Sequence, residues 1–92
     1  MSDIKKTCIT QEDIDKLLQE AEVGVATVHD KCTLVSVKLK NGFVITESSA
    51  CVDPENYNVE AGFDICMDHI ASKLWELEGY ALQKKLYEEA NA

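Results

Sequence analysis

The chain has 92 residues, 46% of them hydrophobic, with nine basic residues against 17 acidic ones and a formal charge of −8. That length allows one domain, residues 1–92, with one modest core, and neither a bilayer-spanning apolar run nor a basic start leading into a secretion signal is present, so the expected location is cytosolic. Every basic residue is a lysine, so the chain repels a phosphate backbone and lacks the planar bidentate donor suited to guanine edges, which excludes a DNA or RNA binder.

Residues 1–9, with Lys5 and Lys6, read as a loose N-terminus. Thr10 then supplies a capping hydroxyl, and Glu12 and Asp13 place acids in the first turn, where the helix dipole favours them. Ile14, Leu17, Leu18 and Ala21 follow at helical spacing. A first helix is expected from about Thr10 to Glu22, ended at Gly24.

From Val23 to Val52 the pattern turns β-branched and alternating. Val25, Thr27 and His29 alternate with Ala26 and Val28, and Val35, Val37 and Leu39 alternate with Ser36, Lys38 and Lys40. Asn41-Gly42 comes next, the strongest short-range hairpin signal, because a type I′ turn needs positive φ at both residues. A two-residue loop pairs Lys40 with Phe43, Leu39 with Val44, Lys38 with Ile45 and Val37 with Thr46. This register puts Val35, Val37, Leu39, Val44 and Thr46 on the face that beds the helices. The opposite face then carries Leu34, Lys38, Lys40, Phe43, Ile45 and Glu47, a mixture of apolar and charged groups that solvent alone does not explain.

The stretch TESSACVDPENY, residues 46–57, leaves the sheet through Glu47, Ser48, Ser49 and Cys51 and stops at Pro54, the chain's only proline. Asn56 or Asn58 caps the helix that follows. Small hydroxyls beside the free N–H groups of a helix start attract anions; equally, Asp53-Pro54 is a plain turn and the asparagines are caps. Phe63, Met67, Ile70, Leu74 and Leu77 then make one helical stripe, Gly79 interrupts it, and Ala81, Leu82 and Leu86 mark a shorter helix from about Tyr80 to Glu89. The expected fold class is α+β: an N-terminal helix, a three-stranded antiparallel meander, and two C-terminal helices packed on one sheet face.

Chemistry-bearing pairs are few. His29 with Cys32 and Cys66 with His69 have metal-ligand spacing, but neither half contains the paired-cysteine knuckle of structural zinc modules, and no metal site or cofactor is assigned. Cys8, Cys32, Cys51 and Cys66 are read as free thiols of a reducing compartment rather than as two disulfides. Ser48, Ser49 or Cys51 beside His69, with Glu47 or Asp53 as orienter, would be a nucleophile and base, yet no Gly-x-Ser-x-Gly elbow frames either serine, so no catalytic residue is assigned and no enzyme is expected. The four glycines stand apart as turn or packing residues and make no phosphate loop. Trp75, with Leu74 and Leu77, reads as a binding anchor or, more often for such a residue, as core. Phe43, opposite Lys40 on the mixed face, offers a ring for stacking beside a lysine, or an anchor for a second subunit.

The run Asn41-Gly42-Phe43-Val44-Ile45-Thr46-Glu47-Ser48-Ser49-Ala50-Cys51-Val52-Asp53-Pro54-Glu55-Asn56-Tyr57, followed by Lys73-Leu74-Trp75-Glu76-Leu77-Glu78-Gly79-Tyr80, resembles a family of small tailed-phage proteins. That family includes the Thoeris anti-defence sponge proteins of the first type, and the similarity covers almost everything after Lys31. The resemblance implies a homo-oligomer that binds cyclic nucleotide immune signals, among them cyclic ADP-ribose isomers and possibly cyclic oligonucleotides, and holds them without cleavage. It also implies stacking on Phe43 and polar contacts from Asp53 and Asn56. Sponges of this kind are expected to use arginine, and none is present: either lysines such as Lys38, Lys40 or Lys73 stand in for it without the bidentate geometry, or this member binds another ligand or none. The expected ligand-binding set is Phe43, Glu47, Ser48, Asp53, Asn56, Lys40 and Lys73, acting in the cytoplasm of an infected bacterium with no nucleic-acid or membrane partner. The alternative is an acidic phage module that inhibits a host protein through its net charge of −8.

Overall fold

The computed structural model describes residues 6–91. Helix α1, Gln11–Gln19, starts as the sequence predicts: the Thr10 hydroxyl accepts from the Asp13 N–H, and the Asp13 carboxylate accepts from the Thr10 N–H. It ends earlier than expected, at the Glu20 cap. Glu22 already belongs to a strand and Gly24 pairs with Ser36, because the apolar alternation from Val23 onward is satisfied by sheet pairing. Of the segment read as a loose terminus, residues 1–5 lie outside the described residues. Lys6 forms an ion pair with Asp13 at 2.6 Å, and Ile9 packs against the core.

Strands β1 (Glu22–Val28), β2 (Cys32–Lys38) and β3 (Val44–Ala50) form a three-stranded antiparallel sheet in the order β1-β2-β3. The meander is the one expected, but both turns differ from the sequence reading. His29 and Asp30 are not strand residues: their φ values of 56° and 60° carry a tight turn in which the Val28 carbonyl accepts from the Lys31 N–H.

At the second turn Gly42 alone takes positive φ, 97°. The Gly42 N–H donates to the Leu39 carbonyl, the Leu39 N–H donates to the Phe43 carbonyl, and the Asn41 side chain accepts from the Phe43 N–H. This is a three-residue loop closed by a glycine bulge, not the two-residue type I′ turn. Val37 therefore faces Ile45 and Lys38 faces Val44, one residue away from the expected register.

One residue of slip inverts β3. Ile45, 5% exposed, joins Val35, Val37 and Leu39 beneath the helices, while Val44 is turned outward at 52%. The exchange buries the larger side chain of the two. Phe43 and Glu47, which share the parity of Ile45, turn to the helical side as well.

After a 3-10 turn at Pro54–Asn56, one helix, α2, runs from Val59 to Ala90. Asn58 is its cap, accepting from the Glu60 and Ala61 N–H groups at 2.9 and 3.2 Å. Two C-terminal helices were expected; the chain passes through Gly79 without a break. One glycine costs a helix interior about 1 kcal/mol, whereas new termini would expose several backbone groups, and Ala81 to Leu86 are strong helix formers. Gly62, Cys66, Ile70 and Leu74 of α2 are buried against β2 and β3, and Ile14 of α1 completes the core. Among the described residues no helix covers the other face of the sheet, which leaves Val28, Leu34 and Val44 exposed.

Candidate functional site

Because α2 crosses β3, side chains one helical turn apart meet the strand in succession. Glu47, its side chain 17% exposed, accepts from the Lys73 ammonium, and His69 Nδ1 lies 3.4 Å from its other oxygen. Lys73 first, then His69, holds the Glu47 carboxyl below the usual carboxylate range against the opposing effect of burial. Deeper in, burial and then the Glu47 charge push the Cys66 thiol up, so it stays protonated and inert. The four cysteines are free, as the sequence indicates.

Next to this ion pair, toward the hairpin, the edge strand β3 and α2 enclose an open cavity of about 380 Å³. Phe43, Ile45 and Thr46 line the strand side; Lys73, Glu76 and Leu77 line the helix side. Phe43, half exposed at the end of the sheet, was expected on the opposite face beside Lys40, Lys38 and Leu34. The glycine-bulge register instead brings it to the helix side, where it lines one cavity with Lys73, Glu76 and Leu77. Since no strand among the described residues lies outside β3, half of its backbone N–H and C=O groups point outward along the cavity's rim. The arrangement supplies a ring face, one ammonium and free backbone donors: the means to stack a planar base and meet a phosphate.

The remaining expected residues lie elsewhere. Ser48 is on the open sheet face opposite Leu34. Lys40 is in the hairpin loop. Asp53 caps the 3-10 turn, accepting from the Glu55 N–H at 3.0 Å, which is the plain-turn reading of the segment. Asn56 borders a separate, smaller cavity of about 210 Å³ with Ser49, Cys51 and Asn58. The structure thus brings Phe43, Lys73 and Glu47 together and leaves Ser48, Asp53, Asn56 and Lys40 apart from them.

Sequence reasoning missed Glu76 and Leu77 as wall residues, and sets His69 beside Glu47 only as a base with its orienter. Their signal was present as the spacing of 69, 73, 76 and 77 on one side of α2, but it becomes readable only once β3 is known to lie beneath that side. Also missed was a hydroxyl cluster: the Tyr57 hydroxyl lies 2.8 Å from both Thr27 Oγ1 and Thr33 Oγ1, and satisfies the fully buried Thr33. Among the described residues no three histidine, cysteine or carboxylate side chains converge as a metal site, and no helix is long and apolar enough to cross a membrane.

Comparison with curated proteins and with solved structures finds no match. The family model of the phage protein (N4 Gp49/phage Sf6 gene 66) family matches residues 9–86, and the chain belongs to that family.

Proposed function

We propose that this member of the phage protein family is a non-catalytic sponge. It binds cyclic nucleotide immune signals, cyclic ADP-ribose isomers or cyclic oligonucleotides, and withholds them from their effector in the cytoplasm of the infected host. The observation that carries the reading is the meeting of Phe43 and Lys73 in one cavity at the edge of β3. A purine stacks on the Phe43 ring, a phosphate meets Lys73, and the outward backbone groups of β3 take the remaining polar atoms. The volume, about 380 Å³, lies within the ordinary range of small-molecule sites. Lys73 is a point charge held in place by Glu47, which orients it without bidentate geometry. The likeness of the Asn41–Tyr57 and Lys73–Tyr80 segments to the Thoeris sponges supports the same ligand class.

A homo-oligomer is part of this proposal, since the open sheet face and the end of α2 leave apolar groups for further copies to cover. Thermal melting with a panel of cyclic ADP-ribose isomers and cyclic di- and trinucleotides tests the binding. At a hundredfold excess over the dissociation constant a single site adds about 2.7 kcal/mol, which raises the melting temperature of so small a domain by roughly 10–20 °C. The ligand is expected back unaltered after denaturation. No shift with any nucleotide, together with inhibition of a host protein by direct binding, would instead establish the acidic inhibitor suggested by the net charge of −8.

A further inference from the structure

The two edges of the sheet are finished differently. Helix α2 lies over β2 and β3, and Glu47 on β3 is engaged by Lys73 and His69. Strand β1 has no such cover: all seven of its residues are exposed, Val23 at 44% and Val25 at 48%. It runs in unbroken register with β2, so no bulge twists it away, and it contains neither lysine nor proline. Those are the usual guards of a free edge, and the one charged residue of β1, Glu22, stands at its first position. No strand among the described residues lies outside β1, so half of its backbone N–H and C=O groups face outward in a straight row.

On the helical side of this edge Val25 lines an open cavity of about 400 Å³ with Val59 and Phe63, and Glu60 and Asp64 complete its wall. No lysine lines it, and among the described residues neither carboxylate has an ion-pair partner. Helix α2 passes from Thr33 of β2, at Gly62, to the hairpin residues Phe43 and Val44, at Lys73, and so runs lengthwise over the sheet. Glu60 and Asp64 are one turn apart, about 6 Å along the helix. Side chains on one face of a strand repeat every ~6.7 Å. A strand laid beside β1 therefore presents successive same-face side chains at nearly the spacing of the two acids.

We propose that the β1 edge is a docking site for an extended segment of another protein, which joins the sheet as a further strand and carries lysine or arginine at alternate positions. Backbone pairing with β1 holds the segment, and its basic side chains give the site its selectivity. Their methylene stems lie on Val25, Val59 and Phe63 and their charges meet Glu60 and Asp64. The intervening residues fall beside Gly24, Ala26 and Val28 on the open face, where β-branched side chains fit. Charge decides against a second copy as the occupant. Two β1 strands paired about a dyad would bring Glu60 and Asp64 of both copies to one junction with no cation, on chains that each carry −8. The site lies at the opposite edge of the sheet from Phe43 and does not depend on the nucleotide reading.

The probe is a fluorescein-labelled peptide of alternating lysine and valine, about eight residues long with blocked termini, titrated with the full chain. Fluorescence anisotropy reads affinity, and amide hydrogen exchange by NMR reads which strand is covered. The alternating peptide is expected to bind saturably, about tenfold or more tighter than a peptide of the same composition with its lysines and valines in separate blocks, and to slow exchange at the amides of β1. Asp64→Lys is expected to weaken binding by about threefold or more. Glu60→Lys combined with Asp64→Lys is expected to shift the preference to a peptide with glutamate in place of lysine, with melting curves confirming that both variants are folded. Phe43→Ala is expected to leave peptide binding unchanged, so the result stands apart from any nucleotide titration. Absence of binding, equal binding of the alternating and block-ordered peptides, or indifference to the charge reversals would overturn the proposal. Amides of β1 that are already protected in a peptide-free dimer would assign the edge to a second copy and overturn it equally.

Discussion

Gly62 of α2 rests so closely on Thr33 of β2 that an added Cβ would lie 2.2 Å from the Thr33 hydroxyl oxygen and 2.8 Å from its Cβ. The approach sets the height of the helix above the sheet, and thereby the position of His69 and Lys73 farther along. Thr33 is fully buried and bonded through Tyr57, so it has no room to yield. Gly62→Ala is expected to destabilise by about 1–3 kcal/mol despite the better helix propensity of alanine, because overpacking outweighs a gain of about 1 kcal/mol. Urea unfolding reads this as a lower midpoint with an unchanged slope. A neutral or stabilised variant would mean that α2 sits farther from the sheet.

The register of the second hairpin is testable through two neighbouring residues. Val44 is 52% exposed on the open face and Ile45 is 5% exposed beneath α2. Val44→Thr keeps β-branching and should change stability by no more than about 0.5 kcal/mol, while Ile45→Ala should cost about 2–5 kcal/mol. A two-residue type I′ loop reverses the order of these two effects.

Acid should loosen the molecule at two carboxylates. Lys6 first, then the Thr10 N–H, lowers Asp13 to about 2, and Lys73 with His69 lowers Glu47. Both groups are depressed relative to the unfolded chain, so the stability they contribute is fully present above the ordinary carboxylate values and is lost as pH falls through the folded ones. The melting temperature is therefore expected to hold from neutral pH to about pH 5 and to fall toward about pH 2. Asp13→Asn combined with Glu47→Gln should melt lower at neutral pH and converge on the wild type near pH 2. Parallel curves across that range would show that neither pair stabilises the fold.

Much of the fold was legible in residues whose preference is local. Thr10 with Asp13 marks a capped start, the alternation of Val35, Val37 and Leu39 marks a strand, and Phe63 to Leu74 marks a helix over a sheet. The failures lie where a local signal admits two outcomes. Asn41-Gly42 serves a two-residue loop with positive φ at both residues and equally a three-residue loop with positive φ at glycine alone, and burial of Ile45 rather than Val44 decides between them. Gly79 reads as a break, yet the helix formers on both sides carry the helix through it.

The candidate site inherited the first ambiguity. Phe43 and Lys73 were each identifiable as ligand-binding candidates, but the face on which Phe43 lies depends on a slip of one residue. Their meeting could not be read before the pairing was known. Asp53 and Asn56 enter the expected set through the family resemblance and Ser48 through its small hydroxyl; in the fold Ser48 lies on the open sheet face and Asp53 caps the 3-10 turn.

The proposed site requires Phe43 and Lys73 to hold a cyclic nucleotide between β3 and α2, which titration calorimetry against cyclic ADP-ribose isomers and cyclic oligonucleotides checks. Saturable binding of at least one of these ligands by the wild type is expected, with loss of about tenfold or more in affinity for Phe43→Ala and again for Lys73→Ala, and no effect of Ser48→Ala on the far face. Binding that survives both cavity substitutions, or no heat from any nucleotide with the folded wild type, would contradict it.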